Sequence, residues 1–180
     1  MLSILIIGCD TTEDLGDNVS EDVEMDEDYP VASSIDDLTK EADIIVIGQF
    51  LSDYETWNMA RDPKDVQKED KNNDVEGKLY SFEVFDYLKG NGKDFIEVNM
   101  MHTFNGVVSE RYFEPNVDRD VLLFLYYNND FDHYYGVMEP FQFEIDDSDH
   151  IDVLTRVSNV KELFEKESLS IKDVKTLLNK

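Results

Sequence analysis

The chain of 180 residues is 41 % hydrophobic and carries nine tyrosines and eleven phenylalanines, which is enough apolar material for one domain with a buried core. Its formal net charge of −26 opposes binding to nucleic acids, because that binding depends on Lys and Arg neutralising phosphates. One cysteine excludes an intramolecular disulfide, so core packing has to hold the fold.

The first nine residues form an apolar segment that ends in the only cysteine. Ile6-Ile7-Gly8-Cys9 resembles the lipobox of bacterial lipoproteins, in which small residues precede a thiol that receives a diacylglyceryl group. The resemblance implies a signal segment over 1–9 and a fatty-acylated (palmitate-bearing) Cys9, and two acyl chains anchor stably. The expected location is the outer face of the bacterial cytoplasmic membrane or the cell surface. The lack of a basic residue in 1–3 is compatible with a natural start further upstream.

Two other interpretations of this segment stay open. In the first, residues 3–7 form the buried first strand of an α/β domain, but residues 11–28 lack the phosphate loop and apolar periodicity that should follow such a strand. In the second, the segment belongs to a membrane helix, although a membrane span needs about 20 apolar residues.

An acidic stretch follows Cys9. Ten acidic residues and no basic residue fall between Asp10 and Asp28, and few residues there are apolar. This composition predicts a disordered tether, placed at 10–32, and a coil of that length reaches about 25 Å. The rest of the chain has 32 acidic against 16 basic residues. Basic partners or cations are therefore favoured, and direct contact with an anionic membrane surface is opposed.

The folded domain is expected to span 33–180 and to begin with a helix. Ser34 and Asp37 have capping-box spacing, and Ile35, Leu38 and Ala42 lie on one helical face. The continuous apolar run 44–51 then predicts a buried strand.

Residues 52–78 form a long polar stretch, rich in Asp, Asn and Lys, that predicts a loop. It contains Tyr54, Trp57 and Arg61, which are residue types common at binding hot spots. We therefore expect these three residues to bind a protein, peptide or glycan ligand. The alternative is that Trp57 folds back as a lid on the end of the domain.

Apolar runs, several of them alternating with polar residues, predict further strands at 79–88, 95–104, 107–108, 120–127, 133–138 and 141–145. Amphipathic periodicity predicts C-terminal helices at about 150–179. Strands joined by hairpins, with helices only at the two ends, indicate an α+β domain. We expect a small antiparallel OB-like β-barrel at about 43–145, with an N-terminal helix and C-terminal helices.

Five motifs in the predicted strands add a resemblance to a known family. They are EADIIVIG (41–48), YSFEV (80–84), LKG (88–90), IEV (96–98) and VLLFL (121–125). Their layout is similar to that of netrin-like (tissue-inhibitor-of-metalloproteinase-like) modules in uncharacterised bacterial lipoproteins, which implies an OB-type five-stranded barrel. Inhibitors of that fold act through an N-terminal cysteine and disulfides, so the resemblance does not extend to inhibition.

One spacing in the polar stretch resembles a calcium loop. Asp70, Asn72 and Asp74 occupy positions 1, 3 and 5 of an EF-hand pattern. Position 6 is Val75 instead of Gly, and position 12 is Ser81 instead of Glu. Ca²⁺ is thus a candidate cofactor at these three residues, and a polar turn is the alternative.

Catalytic motifs are not found in the chain. The three histidines have no zinc-site spacing, and 42 carboxylates make any apparent acid pair uninformative. The sequence therefore favours a non-catalytic, lipid-anchored extracytoplasmic binding module with no assigned catalytic residue. Two alternatives stay open: a Ca²⁺-binding or cation-buffering cell-surface protein, and a carboxylate-dependent hydrolase.

Overall fold

A computed structural model describes residues 29–109, 111–166 and 168–180, so Cys9 and residues 10–28 of the predicted tether lie outside the described residues. The described residues form three helices and ten strands. In chain order the elements are α1 (Ile35–Glu41), β1 (Ile44–Asn58), β2 (Arg61–Asp62), β3 (Asp65–Glu69), β4 (Val75–Lys89), β5 (Phe95–Phe104), β6 (Val107–Val108), β7 (Val121–Asn128), β8 (His133–Gly136), β9 (Gln142–Ile145), β10 (Ile151–Val153), α2 (Ser158–Glu165) and α3 (Ile171–Leu178).

Five of the strands close into a ring. Their order is β1-β4-β5-β8-β7, and β7 pairs back onto β1. Neighbours in the ring are antiparallel except β5 and β8, which are parallel. On the edge that faces away from β1, β7 pairs with β8 through its second half and with β9 through its first half. Strand β9 in turn pairs with β10. The described chain is mostly β with helices at the two ends of the domain, which agrees broadly with the predicted α+β class. The predicted all-antiparallel arrangement is wrong at one place, because β8 pairs with β5 in parallel.

Strand β7 separates two hydrophobic cores. Leu123 and Leu125 face the interior of the ring, where they pack with Phe50 and Phe82. Their neighbour Leu122 faces the opposite side and packs with the helices. Successive side chains of a strand point to opposite faces, so a continuous apolar run such as β7 is buried on both.

The helices cover one outer side of the ring. The Ser34 hydroxyl accepts a hydrogen bond from the Asp37 amide at the start of α1, and Ser170 and Asp173 form a complete capping box on α3. The predicted cap at Ser34 is confirmed, and the Asp37 carboxylate accepts from Ser33 instead of from the Ser34 amide. Among the helices in the described part of the chain, none combines the length and apolar character needed to cross a membrane.

The prediction of a loop over residues 52–78 is wrong. Strand β1 continues to Asn58, β2 and β3 form a short hairpin, and β4 begins at Val75. Residues 51–56 are exposed, so this half of β1 carries polar side chains without a buried face. Residues 54–58 nevertheless pair with β4, so their backbone polar groups are hydrogen-bonded within the sheet although the sequence is polar.

The last residues of the predicted tether pack against the domain. The Glu139 amide donates to the Pro30 carbonyl (2.9 Å), and the Ala32 amide donates to the Glu139 carbonyl (2.8 Å). Ala32 is fully buried. We call residues 29–32 the strap; these four residues belong to the packed structure, although the domain was expected to start at residue 33.

Candidate ligand pocket

A pocket opens where strand β8 ends. Strand β8 has only four residues, so it bridges β5 and β7 over part of their length and stops at Gly136. The pocket has a volume of about 230 Å³. Strands β5, β7 and β8, the strap, and the segments around Met59, Tyr112 and Glu139 all contribute to its lining.

Aromatic and thioether side chains dominate the lining. These residues are Tyr29, Met59, Met100, Met101, Tyr112, Tyr126, Tyr135 and Phe141. The rings of Tyr126 and Tyr135 are stacked with centroids 5.6 Å apart. A mostly apolar pocket with a few polar groups is the usual form of a small-molecule site.

Glu139 supplies the carboxylate of the pocket. It is only 3 % exposed, and its backbone is held on both sides by the strap. Burial raises the pKa of the Glu139 carboxyl to about 7, while a hydrogen bond with Thr155 and the positive charge of Arg111 act in the opposite direction. Carboxyls with such shifts concentrate at functional sites.

The strap forms one wall of the pocket through Tyr29. The Tyr29 hydroxyl donates to the Gly136 carbonyl (2.9 Å), and the Arg111 guanidinium lies 4.8 Å from the centre of its ring. Burial raises the pKa of the Tyr29 phenol well above its usual range, so the phenol remains protonated and able to donate. The strap thus ties the start of the domain to the pocket.

Trp57 lies beside the pocket and reaches across β4. Its indole N–H donates to Asn99 Oδ1 on β5 (2.7 Å), and the Asn99 amide donates to the Met59 sulfur (3.3 Å). Gly77 of β4 makes this crossing feasible, because a Cβ there would lie 2.6 Å from the Met59 sulfur and 2.7 Å from Asn99 Oδ1. Asn99 and Met59 both line the pocket, so Trp57 is coupled to it.

Arg61 extends this cluster to the turn between β7 and β8. Its guanidinium lies 4.6 Å from the centre of the Trp57 ring and 4.8 Å from that of Phe131. Arg61 Nη1 also donates to the carbonyls of Asn58 (2.6 Å) and Ala60 (3.0 Å). Trp57 and Arg61 are therefore together, as predicted, but they are half-buried and packed, which agrees with the alternative in which Trp57 folds back onto the domain.

Tyr54 is separated from Trp57 and Arg61. It is 44 % exposed and its ring packs on Tyr80, with centroids 5.1 Å apart. The Lys78 ammonium lies 4.6 Å from the centre of the Tyr54 ring. The structure thus divides the three predicted ligand residues between two places.

The neighbourhood of Tyr54 is a hydrogen-bonded network. Lys78 Nζ donates to the hydroxyl of Tyr112 (2.9 Å) and to Glu114 (3.3 Å), and the hydroxyls of Tyr80 and Tyr112 are 2.6 Å apart. Burial raises the pKa of Tyr80 to about 12 and raises that of Tyr112 further. The hydrogen bond from Tyr112 lowers the pKa of Glu114. At neutral pH the network therefore contains protonated phenols and an ionised carboxylate.

The three candidate calcium ligands lie in the turn between β3 and β4. Asp70 Oδ1 accepts from the Asn72 amide (2.9 Å), and Asp70 Oδ2 accepts from the Asn73 side chain (2.7 Å). These hydrogen bonds lower the pKa of Asp70. Within the described ranges, no group of three or more His, Cys, Asp or Glu side chains is arranged to hold a metal. Calcium binding at Asp70, Asn72 and Asp74 stays a prediction, and titration calorimetry with Ca²⁺ is its direct test.

Most of the pocket residues were missed by sequence reasoning. Tyr126 and Tyr135 lie in strands whose alternation predicts only which residues share a face. Glu139 offered the one usable signal, because it is a lone acid within the mainly apolar run 137–141. An acid in such a run is either exposed at a turn or buried in a functional role, and the sequence does not distinguish the two.

The chain was also compared with known proteins. No protein-family model matches it, and no curated protein shows significant similarity to it.

Proposed function

We propose that the protein is a non-catalytic binding module that takes a small organic ligand into the pocket beside Glu139. The observation that carries the proposal is a pocket of about 230 Å³ with a mainly aromatic and thioether lining and one buried carboxyl group. This combination of an apolar cavity, few polar groups and a shifted pKa is typical of ligand sites.

The proposal includes an OB-type barrel as the fold. Its support is the closed ring of five strands with one parallel pair and the covering helices. OB-type barrels bind ligands on the second and third strands and in the loops after the first and fourth. In this ring those parts correspond to β4, β5, the β1–β4 connection with Arg61, and the β7–β8 turn with Phe131.

The cellular setting is part of the same proposal. The lipobox resemblance supports a diacylated Cys9 and a location on the outer face of the cytoplasmic membrane, with the acidic residues 10–28 between anchor and domain. Mass spectrometry of the native N-terminus, combined with membrane fractionation of wild type and Cys9→Ser, tests this. We expect a diacylated N-terminal cysteine in the membrane fraction, and an intact Met1 in the soluble fraction would contradict it.

The ligand site is tested with a fragment library and a pair of matched variants. Met101→Trp replaces a flexible thioether by a bulky indole ring in the pocket, whereas Leu163→Trp introduces the same ring on the exposed face of α2. We expect ligand-observed NMR to find fragments that bind wild type and Leu163→Trp equally and bind Met101→Trp about tenfold more weakly. A library without any fragment that responds to Met101→Trp would contradict the proposal.

A second candidate function has one specific observation in its favour. A larger groove of about 580 Å³ is lined by two carboxylates, Glu97 and Asp132, and by Tyr127 and Tyr134. A carboxylate-dependent hydrolase needs two such groups. Its test is hydrolysis of soluble glycans by wild type and by Glu97→Gln and Asp132→Asn; activity abolished by either change would favour this function over binding alone.

A further inference from the structure

We propose that the ligand of the pocket is a small organic cation, namely an alkylammonium compound with an apolar portion. The inference rests on the proposed function and names the chemistry of its ligand. Three features of the described residues carry it: the buried Glu139 carboxyl, the tyrosine walls and the size of the pocket.

The first feature is the position of the carboxyl group. Glu139 is almost fully buried, and among the described residues that line the pocket it is the one that carries a carboxyl group. A buried, ionised carboxylate loses hydration, and hydrogen bonds or opposite charges have to replace it. For Glu139 these are the hydrogen bond with Thr155 and the charge of Arg111, and burial still outweighs both. A cation bound next to Glu139 adds a further favourable charge, whereas a neutral ligand adds none and the ionised carboxylate repels an anion.

The second feature is the aromatic lining. Tyr29, Tyr126 and Tyr135 provide ring surfaces around the pocket, and three methionines add polarisable thioethers. Aromatic rings attract cations through their negative faces, and groups of them recognise quaternary ammonium compounds. The ring of Tyr29 already packs against a cation within the protein, since the Arg111 guanidinium lies 4.8 Å from the centre of that ring.

Arg111 also lines the pocket and brings a positive charge to it. It lowers the pKa of Glu139, but burial raises that pKa more strongly, so the net shift is upward, to about 7. Arg111 therefore does not compensate Glu139 enough to remove the demand for another positive charge. Its guanidinium lies over the Tyr29 ring of the strap, 4.8 Å from the ring centre.

The third feature is size. A volume of about 230 Å³ corresponds to roughly eight water molecules at about 30 Å³ each. A trimethylammonium group with a short chain fits this space. The excess of acidic residues over the whole chain attracts cations from solution and so favours their approach.

The inference predicts a pH dependence of binding. As the pH rises through about 7, Glu139 becomes ionised, so affinity for a cation rises with it. The other titratable groups among the described lining residues do not change charge in this range. Arg111 stays charged, and burial raises the pKa of Tyr29, Tyr112, Tyr126 and Tyr135, so these phenols stay protonated.

The test compares choline with 3,3-dimethylbutan-1-ol, an uncharged molecule of the same shape. Binding is measured by calorimetry and by the fluorescence of Trp57, the only tryptophan, which contacts the pocket residue Asn99. At about pH 8 we expect choline to bind at least about tenfold more tightly than the alcohol, and we expect the difference to shrink at about pH 5.5.

Two variants complete the test. Glu139→Gln keeps the shape of the side chain and should abolish the preference for choline, while Glu162→Gln, a matched change on exposed α2, should preserve it. The pH dependence of wild type gives a second measurement that does not depend on the folding of a variant. Equal binding of the alcohol, or choline binding that Glu139→Gln does not affect, would overturn the cation inference. The cation inference would also be overturned if choline did not bind while other fragments responded to Met101→Trp. In each of these cases the proposed binding function would stand.

Discussion

Burial controls the chemistry of individual residues around the pocket. Glu139 lies in a setting that opposes its charge, and Glu114 in one that favours its charge. The difference comes from hydration and hydrogen bonding, because Glu114 is largely exposed and accepts from Tyr112, whereas Glu139 is almost fully buried. Two residues of the same type thus respond to pH in opposite ways.

Glu139 should make the protein less stable as the pH rises from about 5 to 8. Its pKa is about 7 in the folded chain and about 4.3 in an unfolded one, so the folded state holds the proton more tightly. The stabilisation is present at low pH and is lost as pH rises from the unfolded value through the folded one. Urea denaturation should show wild type losing on the order of 3 kcal/mol relative to Glu139→Gln across this range.

Glu114→Gln is the control for this prediction. Its pKa is lowered, so its contribution is lost only as the pH falls through the acidic range, and the difference from wild type should stay constant between about pH 5 and 8. A pH-independent difference between wild type and Glu139→Gln would show that Glu139 does not titrate in this way.

The element that shapes the site is the 15-residue strand β1 together with the β2–β3 hairpin. The Asn58 side chain ties the base of the hairpin, since its carbonyl oxygen accepts from the amides of Ala60 (2.9 Å) and Val75 (3.1 Å). Arg61 then clamps the hairpin between Trp57 and Phe131. The hairpin has few buried apolar contacts, so these polar and cation–π contacts hold its position.

Replacing Arg61 by Ala should loosen the hairpin while the ring stays folded. The Asp70 amide donates to the Ala60 carbonyl (3.0 Å) and reports on the hairpin. The substitution removes two cation–π contacts and two hydrogen bonds, which together contribute about 1–2 kcal/mol. Hydrogen exchange of the Asp70 amide should therefore become about tenfold faster or more. NMR-detected exchange should show amides of β7 unchanged.

Lys68→Ala gives a matched control in the same hairpin. It removes a cation of the exposed Lys68–Asp65 pair (2.7 Å), which should contribute little. Equal acceleration in both variants, or acceleration spread through β7, would contradict the role given to Arg61.

At the scale of the whole molecule, two cores share the same strands. The ring interior and the helix-covered side meet at β1 and β7, where neighbouring residues such as Ile45 and Val46 face opposite cores. Neither core is complete without these strands. The domain should therefore unfold as one unit.

Leu122→Ala and Leu123→Ala test this coupling, because the two residues are adjacent and face different cores. Each should lower the free energy of unfolding by about 2–5 kcal/mol, since both are fully buried. Trp57 fluorescence and far-UV circular dichroism should report the same midpoint in each variant. Leu163→Ala, on an exposed position of α2, should change stability by less than about 1 kcal/mol. Separate midpoints for the helices and for Trp57 would show two independent units.

Local signals of the sequence predicted much of this fold. Capping at Ser34 and Ser170 follows from the preferences of helix termini, and the doubly buried β7 follows from its unbroken apolar run. The extension of β1 to Asn58 was missed, because a strand with an exposed polar half has the composition of a loop. Local patterns reveal burial on a face, and that half of β1 has no buried face.

The sequence by itself determined the acidic character, the two-sided burial of β7, the helices at the ends of the domain and the single thiol in its lipobox-like setting. Only the tertiary structure decided that Trp57 and Arg61 pack against Phe131 while Tyr54 joins Lys78 and Tyr112. It also decided that Glu139 is buried beside Tyr29 and Met101, residues far apart in the chain. The reason is physical: helix caps and strand alternation depend on neighbours within a few residues, whereas a pocket and the pKa of a buried carboxyl depend on which distant segments the ring closure brings together.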